Sequence, residues 1–138
     1  MLKVEDWAPE IEVILADNQE LSLRLFRGKK VVIYFYPKDN TPECTVQACD
    51  FRDNLDASES QNVTILGVSS DTIQSHKNFA KKHSLPFPLI SDPEHTISKT
   101  YGVWKEKKNY GKTYMGIERT SFVIDEHGKI IAIFLKSE

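Results

Sequence analysis

Val31-Val32-Ile33-Tyr34-Phe35-Tyr36-Pro37-Lys38-Asp39-Asn40-Thr41-Pro42-Glu43-Cys44 reads as a strand, a stop and a helix start. The first six residues are an unbroken β-branched and aromatic run, the pattern of a strand buried on both faces. Pro37 ends it. Thr41 then offers a helix cap and Pro42 a first helical position, where its missing N–H costs nothing. The helix is expected to run to roughly Ala57, with Val46, Phe51 and Leu55 as core contacts.

Working outward, Ile11–Leu15 and Glu20–Leu23 flank the polar turn Asp17-Asn18 and read as an N-terminal hairpin. Val63–Val68 is a second buried strand. Asp71 is the expected cap of a second helix through His83, broken by Leu85-Pro86-Phe87-Pro88. Leu89-Ile90 is a minimal strand, and Asp92-Pro93 starts a short helix to about Tyr101. The segment Tyr101–Met115 lacks clear periodicity and reads as a long loop. Ile117–Ile124 and Lys129–Leu135 flank Asp125-Glu126-His127-Gly128 as a closing hairpin. Strands alternating with helices predict an α/β fold: a central mixed β-sheet flanked by helices.

The chain has 138 residues, enough for one domain (1–138) with a real core and no need of staples. With 28% charged residues and a formal net charge of −2, it lacks the basic character of a nucleic-acid binder. No apolar run approaches the ~20 residues needed to span a bilayer, so no membrane association is expected. Met1-Leu2-Lys3-Val4-Glu5-Asp6 has no apolar signal core, which leaves the cytoplasm as the expected compartment. Two cysteines are too few for a secreted disulfide framework, and in a reducing compartment a pair is more often redox-active than structural.

Cys44 falls in the first helical turn, where unpaired amides and the helix dipole stabilise an anion. The bland alternative is a small buried core cysteine. Cys49 lies five residues on, which on an ideal helix separates the α-carbons by roughly 8.6 Å. A disulfide tolerates about 7 Å at most. Either the two never pair, or the first turn unwinds when they do. The spacing is also wrong for a Cys-x-x-Cys reductase. His76, His83, His95 and His127 show no zinc-site spacing with the cysteines, and His76 and His83, which share a helix, read as solvated; neither metal nor cofactor is implied. Lys99, Lys105, Lys107, Lys108 and Lys112 interleave with Tyr101, Trp104 and Tyr110. They read as a solvated loop rather than a nucleic-acid patch, with docking of an acidic reductase as the weaker alternative.

The stretch Phe35–Thr45, with Pro37-x-x-x-Thr41-x-x-Cys44 inside it, and Ala48-Cys49-Asp50-Phe51-Arg52-Asp53 closely resemble the active-site segment of the bacterioferritin comigratory protein subfamily of peroxiredoxins. Leu89-Ile90-Ser91-Asp92-Pro93, Tyr101-Gly102-Val103-Trp104 and Tyr114–Asp125 fit the same family, so the resemblance covers nearly the whole chain in order. It implies a thioredoxin-like fold and reduction of hydroperoxides by a monomer, with thioredoxin or a similar dithiol as reductant. It also implies that Cys44 is the peroxidatic and Cys49 the resolving cysteine. Thr41 would hold thiolate and peroxide through its hydroxyl, Pro42 would shield the intermediate, and Arg119 would supply positive charge. Without the resemblance, Arg119 reads as a surface guanidinium at a strand end.

Two features depart from the family pattern. Glu43 stands where such proteins commonly have glycine; its carboxylate either disfavours the neighbouring thiolate by like-charge repulsion or, as expected here, points to solvent. The family usually continues into a helix after the last hairpin, whereas this sequence ends at Ser137-Glu138. Because Ile130–Leu135 is apolar at every position, that strand calls for cover on both faces. A longer natural chain or a second subunit would supply it. The rival functions are a redox-responsive binding protein switching through Cys44–Cys49, and an interaction domain without redox chemistry.

Overall fold

The computed structural model describes residues 2–15, 18–54 and 63–135. Strands β1 (Glu12–Ile14) and β2 (Glu20–Ser22) form the expected N-terminal hairpin. Strand β3 (Lys30–Phe35) leads into α1 (Pro42–Asp53), and β4 (Val63–Ser69) into α2 (Ile73–His83). Then come β5 (Leu89–Ser91), α3 (Thr96–Thr100), β6 (Trp104–Asn109), β7 (Lys112–Ile117), β8 (Thr120–Ile124) and β9 (Ile130–Leu135). The main sheet has five strands in the order β5-β4-β3-β8-β9, with β3 at its centre. β3 runs parallel to β4 and antiparallel to β8, so the sheet is mixed as expected.

The two-residue period of β3 sorts its side chains. Ile33 and Phe35 join Leu66, Val68, Phe122 and Ile124 in one buried cluster, closed by Leu21, Leu23 and Tyr101. Tyr34 and Tyr36 face the other way, where Cys44, Ala48 and Phe79 from α1 and α2 meet them. Both faces are covered, which is why the run is apolar without interruption. Residues 44, 48 and 51 stand at i, i+4 and i+7 and form the inner stripe of α1. Cys44 and Ala48 are buried and Phe51 is partly buried against them. Val46 is instead 60% exposed, because it lies outside that stripe. The expected extension of α1 to Ala57, including Leu55, falls outside the described residues, as does Asp17 of the first turn.

Thr72, not Asp71, caps α2: its hydroxyl oxygen accepts the Ser75 amide at 3.0 Å. The helix α3 is shorter than expected, and Asp92 prepares it from outside by accepting the Ile97 and Ser98 amides at 3.1 and 2.8 Å. Residues 101–115 depart furthest from the sequence expectation. These residues do not form a long loop: β6 and β7 pair as a separate two-stranded ribbon, from Trp104↔Ile117 to Asn109↔Lys112. Its turn, Tyr110-Gly111, has positive φ at both residues (52° and 77°), the geometry a tight hairpin needs. Likewise 117–124 is not one strand. The chain leaves the ribbon after Ile117 and enters the main sheet at Thr120, so Glu118-Arg119 is the junction between sheets. On β9, Ile130 is buried, whereas Ile131, Phe134 and Leu135 are 43%, 62% and 63% exposed. Among the described residues, no helix is long and apolar enough to cross a membrane.

Candidate active site

The site forms where β3 ends and α1 begins. Pro42 opens the helix as read from the sequence, and Thr41 stands extended (φ −81°, ψ 153°) at the N-cap position, but its side chain makes no capping hydrogen bond. Cys44 is therefore the third helical residue, beside leading amides that have no intrahelical acceptor. Its side chain lies 1% exposed against Tyr34 and Tyr36. The β7–β8 junction delivers Arg119, 7% exposed, whose Nη2 donates to the Cys44 Sγ at 3.1 Å. Arg119 Nη1 donates to Gln47 Oε1 at 2.6 Å, fixing the plane of the guanidinium. A buried, oriented cation touching a buried sulfur is an arrangement for an anionic sulfur.

Glu43 is largely exposed (58%), but its carboxylate also lies 3.8 Å from Arg119 Nη2. The guanidinium is thus shared between the sulfur and this acid. Thr41 donates its hydroxyl proton to the Lys38 carbonyl at 3.1 Å, which leaves only oxygen lone pairs for other partners. Pro42 is exposed on the first turn next to Cys44. Cys49 is half-buried and free, like Cys44, and faces away toward α2 with its Sγ 3.9 Å from His83 Nδ1. Cys44, Arg119, Thr41 and Pro42 are gathered at one helix end, and Cys49 is set apart from them.

Sequence reasoning missed a buried polar clasp below the Pro37–Thr41 loop. His76 is not solvated: it is 3% exposed, with Nδ1 2.8 Å from Asp39 Oδ2 and Nε2 3.0 Å from the Ile90 carbonyl. Both ring nitrogens are thus held, one by the Asp39 carboxylate and one by the Ile90 carbonyl. Tyr36 and Ser75 also donate to the Asp39 carboxylate, at 2.6 and 2.8 Å. Burial pushes the Asp39 carboxyl up, but hydrogen bonds from His76 and Tyr36, with the His76 charge and Ser75, outweigh it and hold the group below its ordinary value. The spacing of His76, Phe79, Ala80 and His83 on one helical stripe was the available signal. Asp39, Asp71 and His76 bring possible ligand atoms within 4.8 Å of one another. Asp71 Oδ2, however, accepts the Asp39 amide at 2.6 Å, and the Asp39 carboxylate is engaged by Tyr36, Ser75 and His76. The group is a hydrogen-bonded clasp that anchors the loop leading to Thr41, not an open metal centre.

The model of the AhpC/TSA family matches residues 4–133. Peroxiredoxin Bcp of Bacillus subtilis (strain 168) is 45% identical over 130 residues, covering 94% of this chain and 83% of the relative. Peroxiredoxin Bcp of Escherichia coli (strain K12) is 46% identical over 133 residues, covering 96% and 85%. The Xanthomonas campestris bacterioferritin comigratory protein, solved in work on its alkyl peroxide reduction activity, matches at TM-score 0.86 and 38% identity over 93% of this chain and 82% of that one. A Xylella fastidiosa PrxQ mutant matches at TM-score 0.92 and 32% identity over 100% and 88%. The chain belongs to the AhpC/TSA family and has its thioredoxin-like fold. Within that family it is a peroxiredoxin of the bacterioferritin comigratory type, and so an enzyme, a peroxidase.

Proposed function

We propose that this peroxidase reduces hydrogen peroxide and organic hydroperoxides through Cys44, resolves through Cys49 and is recycled by thioredoxin or a similar dithiol. The observation that carries the reading is the 3.1 Å contact between Arg119 Nη2 and the Cys44 sulfur, both groups being buried. Cys44 thiolate attacks the terminal peroxide oxygen. An S–O bond forms, the O–O bond breaks, and the departing alkoxide or hydroxide takes a proton, leaving a sulfenic acid. A free thiol of pKa ~8.5 is about 3% ionised at pH 7, so complete ionisation gains at most ~30-fold. The remainder comes from orienting the peroxide and from charge aimed at the departing oxygen, which Arg119 supplies. Thr41, its proton committed to Lys38, offers lone pairs to the hydroperoxide O–H. Pro42 keeps water from the sulfenic acid.

Cys49 thiolate then attacks the sulfenic sulfur, an S–S bond forms and hydroxide leaves to become water. The alkyl peroxide activity studied in the Xanthomonas campestris relative supports organic hydroperoxides as substrates. The reading extends to a monomer in a reducing cytoplasm, where both free thiols are regenerated. Coupled turnover with thioredoxin, thioredoxin reductase and a nicotinamide cofactor tests it. Sustained peroxide consumption, abolished by Cys44→Ser, is expected. A single stoichiometric oxidation with no turnover under any dithiol would instead mark a redox sensor and refute catalysis.

A further inference from the structure

Cys49 is the one member of the proposed chemistry without a partner at the Cys44 end of α1. Its Sγ instead lies 3.9 Å from His83 Nδ1, at the last residue of α2. Two contacts hold His83. Its ring packs edge-on against the buried Phe79 (centroids 5.0 Å, 69°). The His83 main-chain carbonyl accepts from Arg52 Nη1 at 2.7 Å, tying the C-terminal half of α1 to the end of α2.

This tie matters because Cys44 and Cys49, roughly 8.6 Å apart on an intact helix, exceed disulfide reach. The first turn of α1 must unwind for them to join. Arg52 lies beyond Cys49 on the same helix, so its bond to the His83 carbonyl keeps Cys49 beside His83 while Cys44 travels. The thiol that must lose a proton stays next to a base.

We propose that His83 is the catalytic base of the resolving step, taking the Cys49 proton as Cys49 attacks the Cys44 sulfenic acid. The proposal rests on the reading that Cys49 is the resolving cysteine. The S–H bond of Cys49 breaks and its proton passes to Nδ1. The new S–S bond forms with the sulfur's electron pair, and the Cys44 S–O bond breaks to release hydroxide, which solvent protonates. The half-buried imidazolium then returns its proton to water.

A base that makes thiolate from a free thiol about 3% ionised at pH 7 speeds resolution by up to ~30-fold. Rapid mixing with one equivalent of hydrogen peroxide at pH 7, followed by dimedone trapping and mass spectrometry, separates the two steps. His83→Gln keeps an acceptor of similar size but no base, and His83→Ala leaves space for exogenous imidazole. Both variants should form Cys44 sulfenic acid at the wild-type rate. Its conversion to the Cys44–Cys49 disulfide should slow about 10- to 30-fold, and imidazole should restore His83→Ala but not His83→Gln. Disulfide formation at the wild-type rate in His83→Gln overturns the proposal, as does slowing of both steps together without imidazole rescue. A wild-type protein that forms no Cys44–Cys49 disulfide at all would overturn the underlying assignment of Cys49 as well.

Discussion

Replacing Arg119 by alanine removes a cation that touches the reacting sulfur. At 3.1 Å and an effective dielectric of about 20, the gross attraction to a thiolate is about 5 kcal/mol. Glu43 opposes it from 3.8 Å, but that side chain is 58% exposed, and screening reduces its influence to about 1 kcal/mol. Some 2 kcal/mol of the remainder is the ~30-fold available from ionising a free thiol at pH 7. What is left, about 2 to 3 kcal/mol, must act on the transition state, where negative charge moves toward the departing oxygen. Arg119→Ala should therefore lower the second-order oxidation rate by roughly 10³-fold at pH 7 and still by roughly 10- to 100-fold at pH 9.5. Stopped-flow oxidation at both pH values reads this directly. Adding Glu43→Gln removes the repulsion that Arg119 no longer offsets, and Arg119→Lys should recover only part of the rate, because an ammonium cannot hold Gln47 and the sulfur with one planar fork. A loss below about 3-fold at pH 9.5, where a free thiol ionises unaided, would refute a role beyond ionisation.

The clasp makes a pH-dependent contribution to stability. Asp39 is held below its ordinary value when folded, so its contribution is complete above the unfolded aspartate value of ~3.9 and drains away as pH falls toward the folded one. Urea titrations should show that acid limb in the wild type, and Asp39→Asn should lose it while costing about 1 to 3 kcal/mol at pH 7, because an amide cannot replace the carboxylate in the hydrogen bonds with Tyr36, Ser75 and His76. Tyr34→Phe should stabilise the protein by about 1 kcal/mol in the same assay with unchanged denaturant slope, because the buried Tyr34 hydroxyl has no hydrogen-bond partner among the described residues; a loss of stability would reveal a partner for it. Oxidation to the Cys44–Cys49 disulfide should speed amide exchange across the first turns of α1 while Arg52 and His83 keep their protection; unchanged exchange over Pro42–Cys49 would contradict helix unwinding.

The central strand and the helix start at Pro42 were legible because burial on both faces leaves an uninterrupted apolar run and proline suits the first helical position. The ribbon at 104–117 was not. Its burial runs from exposed Lys112 to buried Ile117 without a continuous inner face, so alternation of apolar and polar residues never develops. Tyr110-Gly111, inside the stretch expected to be a loop, is the tight turn that makes the two strands adjacent. Arg119 was found by resemblance alone; in isolation nothing marks a lone arginine after Glu118 as buried, because the junction between two sheets is a tertiary fact. His76 was hidden by testing it against the cysteines for metal spacing. Its place on the Phe79 stripe of α2 pointed inward, and only the fold supplies the Asp39 that makes an inward histidine affordable.

The identity of the sulfur that first meets peroxide is the most direct test of the account. One equivalent of hydrogen peroxide should place sulfenic acid on Cys44 in Cys49→Ser protein, trapped with dimedone and located by mass spectrometry, while Cys44→Ser protein remains unoxidised on the same timescale. Rapid oxidation of Cys49 in the absence of Cys44 would contradict it.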